Sequence, residues 1–151
     1  MADHPGTDPN IDKELPMRPS YCLTVDVAQP FDQAVQTLRD TLAAEGMGVV
    51  SEVDVQATLK NKLNLDVASQ KMLGICNPKL AHAMLEAEPE IGAMLPCSGF
   101  AREIEPGRPQ VVLQDPMVVA QQTANADVRR ACEQAHLTFR RVVDRLMLAG
   151  A

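Results

Sequence analysis

The spacing of apolar residues switches repeatedly between the period of a strand and that of a helix, and this alternation limits the fold more than composition does. Tyr21, Leu23, Val25 and Val27 alternate with Cys22, Thr24 and Asp26, the pattern of a strand buried on one face. Pro30 then offers a favoured first helical residue. Phe31, Val35, Leu38 and Leu42 recur at helical intervals until Gly46 supplies a C-terminal cap. Met47 to Val53 is short and rich in valine, hence a second strand. Asp54 is placed to cap a short helix whose Val55, Leu59 and Leu63 share one stripe.

The run Met72-Leu73-Gly74-Ile75-Cys76 is continuously apolar, as expected of an interior strand covered on both faces. Asn77 and Pro78 then stop the strand and start a helix, Asn as cap and Pro as first residue. Leu80, Ala81, Met84 and Leu85 give that helix a buried stripe until Pro89 interrupts it. Two short strands, Gly99 to Glu105 and Gln110 to Leu113, flank the Pro106-Gly107 turn signal and read as a hairpin. From Ala126 to Leu148, Val128, Cys132, Phe139, Val142 and Leu146 fall at helical spacing, so the longest helix comes last. The order β-α-β-α-β-α-β-β-α predicts an α+β fold: a mixed sheet of about five strands with helices packed over it.

A chain of 151 residues, 46% hydrophobic, suits one core. Residues 21–151 are read as that domain. Residues 1–20, with four of the eleven prolines among polar neighbours, read as a flexible N-terminal arm. With four aromatics and no Trp, the core falls to aliphatic side chains and the eight Met, whose thioethers adapt to irregular gaps. A net charge of −6 argues against nucleic acid as a partner. A local excess of arginine, among them Arg129, Arg130, Arg140 and Arg141, reads as a solvated helix face. No leader and no apolar run long enough for a membrane span are visible, so a cytoplasmic protein is expected. There its four cysteines would stay free thiols.

The stretch from Leu42 through Ala43-Ala44-Glu45-Gly46-Met47-Gly48 to Val49, followed by Glu52-Val53-Asp54-Val55-Gln56-Ala57, resembles a characteristic segment of the domain-of-unknown-function family 302. So do Gly74-Ile75-Cys76-Asn77-Pro78-Lys79-Leu80-Ala81 and Leu95-Pro96-Cys97, in the same order and at suitable spacing over about residues 21–118. The resemblance implies a compact α+β domain that tends to pair as a homodimer, in a family without an established reaction. It supplies no catalytic residues. The family features retained here are Cys76 with Asn77 and Pro78, and Cys97 after Pro96; Cys22 and Cys132 fall outside the pattern.

Cys76 stands where a strand runs into a helix N-terminus, a place that favours a thiolate. The plain alternative is a small buried apolar residue that completes the strand. Cys97 follows after a helical excursion, so both thiols are able to meet at one end of the sheet. Two converging thiolates would suit a soft metal such as Cu(I) or Zn(II), a regulatory disulfide or a persulfide relay. The closely spaced ligand pairs of a zinc module are missing, however, and no cofactor is predicted. His82 is one turn after Pro78 and four residues before Glu86. It is either a base or third ligand leaning toward Cys76, or a surface histidine beside Glu86. His136 reads as solvated.

Two functions of different class follow. The first is a non-enzymatic binding module, a homodimer that receives a small molecule, a soft metal or a protein partner, with Cys76, Asn77, Cys97 and His82 as candidate site residues. The second is a thiol-dependent redox or sulfur-handling protein that uses Cys76 and Cys97.

Overall fold

The computed structural model describes residues 19–150. Of the arm expected at residues 1–20, residues 1–18 lie outside the described residues.

The elements run β1 (Cys22–Asp26), α1 (Phe31–Ala44), β2 (Gly48–Asp54), α2 (Val55–Leu63), β3 (Gln70–Cys76) and α3 (Pro78–Ala87), then a 3-10 segment (Pro89–Met94). The chain continues through β4 (Cys97–Glu105), β5 (Arg108–Gln114), α4 (Pro116–Ala120) and α5 (Ala126–Leu148). The α+β class, the five strands and the element order all stand. Local signals in the sequence explain most boundaries. Asp54 accepts from the Ala57 amide at the start of α2. Asn77 Oδ1 accepts from Lys79 and Leu80, with Pro78 as the first residue of α3. Gly46 closes α1 at a φ of 77°, in the left-handed region that glycine adopts freely. Pro30 sits one place earlier than expected, as the N-cap of α1.

The strand order is β1-β5-β4-β3-β2. Every pairing is antiparallel rather than mixed. The physical reason lies in the connections. Helix α1 carries the chain from one edge of the sheet to the other, so β1 and β2 run the same way without becoming neighbours. Helices α2 and α3 instead return each strand beside its predecessor.

Helices α1 and α5 cover one sheet face. There Leu38, Leu42, Phe139 and Val142 pack against Leu73, Ile75, Val111 and Leu113. A second cluster joins Met84, Ile91, Val119, Val128 and Cys132 where α3, the 3-10 segment and α4 meet the first half of α5. Helices therefore cover β3 on one face only: Leu73 and Ile75 are buried, whereas Met72 is 53% exposed. Gly74 is buried on the other side because Ser51 and Pro96 crowd it. The short α4 was not read from the sequence; Asp115 caps it through the Met117 amide. Asp115 also holds His136 at 2.8 Å, so this histidine is tied to a neighbouring element and not simply solvated. Among the described residues no helix is long and apolar enough to cross a membrane.

Candidate functional site

Strand β3 delivers the first thiol. Its residue Ile75 pairs directly with Cys97, the first residue of β4. Cys76 therefore stands one residue from that cross-strand pair, at the end of the sheet from which α3 departs. Helix α3 and the 3-10 segment leave and return at this end, and α5 closes the back. The loop back to β4 contains a cis Leu95-Pro96 bond.

Between these elements lies a cavity of about 340 Å³ into which both Cys76 and Cys97 open. Its floor is core: Ile75, Met47 and Phe139 are buried residues of the main cluster. Leu80, Ala81, Met84 and Leu85 of α3 form one wall, facing Leu95 and Pro96. Ala81, Gly92 and Ala135 contribute little volume, which is what leaves the space unfilled. The bulge between Val49 and Ser51 in β2 brings Val50 to the rim.

The polar groups at the cavity are few: Asn77 and the two thiols. Asn77 Oδ1 is committed to the α3 cap, which leaves its amide group as the donor. The same bonds engage the Lys79 and Leu80 amides at the start of α3. Burial, then the nearby Cys132 and Cys76, push the Cys97 thiol from 9.0 up to about 11, so it stays protonated at neutral pH. Cys132 is raised too, by burial and then by Glu133.

The structure thus brings together Cys76, Asn77 and Cys97, and not His82, which is exposed on α3 and does not line the cavity. Cys132, given little weight from the sequence, is buried on α5 close enough to Cys97 to act on its ionisation. Helical spacing was the available signal, since Val128, Cys132, Ala135 and Phe139 follow one stripe and the last two line the cavity. All four cysteines are free. Among the described residues no group of three or more His, Cys, Asp or Glu side chains is placed to hold a metal ion.

Fold and site together define an antiparallel α+β domain with an apolar end cleft. The chain belongs to the family described as domain of unknown function DUF302, whose profile matches residues 23–146. It is also similar in fold to the crystal structure of an uncharacterised conserved DUF302 protein from Bacillus stearothermophilus, with a TM-score of 0.76 at 23% identity, covering 85% of this chain and 99% of that one. No curated protein matches the sequence.

Proposed function

We propose that this is a cytoplasmic, non-enzymatic binding module, acting as a homodimer, whose end cleft receives a small, uncharged and largely apolar molecule. The observation that carries this reading is the cavity of about 340 Å³, walled by aliphatic and thioether side chains with Asn77 as its amide donor. Small-molecule sites have this character: concave, mostly apolar, with a few placed polar groups that fix orientation. A charged ligand would lose its hydration there without finding a partner. The half-buried, protonated Cys97 behaves as part of the apolar lining.

The test is titration with a neutral, environment-sensitive dye, N-phenyl-1-naphthylamine. Saturable fluorescence enhancement is expected, weakened at least tenfold by Ala81→Trp, which fills the cleft from its α3 wall. Enhancement that does not saturate, or that Ala81→Trp leaves unchanged, would overturn the reading.

The thiol-dependent alternative rests on a different observation, the arrival of Cys76 and Cys97 at one cavity. Under it, an oxidised dithiol would take two electrons and two protons from the pair, leaving one disulfide. Mass analysis after such treatment would show the loss of two hydrogens and a Cys76–Cys97 crosslinked peptide. If Cys76 is instead the slowest of the four thiols to alkylate, this alternative fails. A soft metal such as Cu(I) or Zn(II) at the same pair would first have to displace the Cys97 proton.

A further inference from the structure

The sheet face opposite α1 and α5 has an unusual composition. An antiparallel sheet with one solvated face normally turns polar side chains outward. Here the strand registers align Thr24, Val112, Phe100, Met72 and Val53 in one row that crosses all five strands. From Val112 to Val53 that row is apolar, and Met72 and Val53 are 53% and 47% exposed. The row on one side holds Cys22, Gln114, Ser98, Gly74 and Ser51, none of them charged. The row on the other side holds Asp26, Gln110, Arg102 and Gln70, with one charge of each sign. Apart from Gly74, no residue of these rows is buried.

We infer that this open face is where a second copy of the chain docks, sheet against sheet, through the row centred on Phe100 and Met72. The inference rests on the homodimer in the reading above and names its surface. Charge favours self-pairing. Two chains that each carry −6 repel over most approaches, whereas this face carries no net charge. A two-fold axis along the apolar row lays that row on its own copy. It also sets Asp26 and Arg102 over the second copy's uncharged Cys22 and Ser98, so no like charges oppose. The area is also sufficient. Five strands at about 4.8 Å and three rows at about 6.8 Å cover on the order of 500 Å² per copy. Two copies then bury roughly 1,000 Å², the scale at which specific interfaces begin. Stacked sheets of this kind pack about 10 Å apart with interdigitating side chains.

Sedimentation velocity on the full chain across a concentration series, with and without Met72→Glu, tests the inference. The wild type should sediment at twice the chain mass. Met72→Glu, which sets two carboxylates against each other at the centre of the face, should raise the dimer dissociation constant at least a hundredfold. Leu148→Glu, at a 74% exposed position near the end of α5, should leave it unchanged. Peroxide oxidation of wild-type Met72 supplies a readout that needs no variant: the thioether should react quickly in dilute protein and slowly in concentrated protein. A monomeric wild type at about 100 μM would sink the inference, as would Met72 oxidation that ignores concentration. A wild-type dimer that survives Met72→Glu would assign dimerisation to another surface. Naphthylamine binding is read separately: its persistence in monomeric Met72→Glu would leave the cleft reading standing, whatever the fate of the interface.

Discussion

Raising the pH should weaken the fold through Cys97. Its thiol is pushed from 9.0 up to about 11, first by burial and then by Cys132 and Cys76. Between those limits the folded chain holds a proton that the unfolded chain has released. Stability from this group is therefore fully present below pH 9 and is lost as the pH climbs toward 11. At about 1.4 kcal/mol per unit, two units set a ceiling of about 2.7 kcal/mol. The partial opening of Cys97 to the cleft makes this an upper limit. The assay is urea unfolding in reductant at pH 8, 9.5 and 11 for the wild type and for Cys97→Ala. Lysine and tyrosine titrations are common to both proteins and cancel in the difference, whereas alanine has no proton to release. The stability advantage of the wild type over the variant should shrink by about 1–2 kcal/mol across that range. A difference constant to within about 0.5 kcal/mol would refute the placement of Cys97 as a buried, protonated thiol. Iodoacetamide gives a second check: at pH 8 Cys97 should alkylate about a hundredfold more slowly than an unperturbed thiol, because its thiolate fraction is lower by that factor.

Replacement of Asn77 by alanine removes the acceptor for the Lys79 and Leu80 amides and should cost about 1 kcal/mol, read as a lowered urea midpoint. Asn125→Ala should cost about 1–2 kcal/mol in the same assay. It deletes the α5 cap on Asp127 and Val128 and also the bond from Asn125 Nδ2 to the Ala87 carbonyl. Gly74→Val should destabilise by about 1–3 kcal/mol, because a Cβ there would lie 2.2 Å from Ser51 Oγ and 2.9 Å from Pro96 Cγ; a variant as stable as the wild type would contradict that packing. Leu38→Ala, at a fully buried position between α1 and the sheet, should lower stability by about 2–5 kcal/mol in thermal or urea unfolding.

Most of the local structure is legible in the sequence alone. Periodicity and capping residues are properties of neighbours in the chain, so Asp54, Asn77 with Pro78, and the span from Ala126 to Leu148 mark their elements unaided. Cys76 and Asn77 could be singled out on the same grounds, as residues where a strand turns into a helix, and Cys97 as the residue that follows Pro96 into the hairpin. What fell outside the sequence reading was non-local. The antiparallel sense of all four pairings depends on which edge of the sheet α1 crosses to, and no window of residues records that. The short α4 carries too few residues to show a period.

The sequence by itself determined the elements other than α4, their order and the sulfur-bearing end of β3, whereas β4 begins at Cys97, two residues before the expected Gly99. Only the tertiary structure decided that Cys76 and Cys97 share one cleft, that Cys132 stands behind them and His82 outside, and that Met72 faces away from the core. The reason is that periodicity fixes which side of an element is apolar, while the choice of what covers that side is made by contacts between residues far apart in the chain.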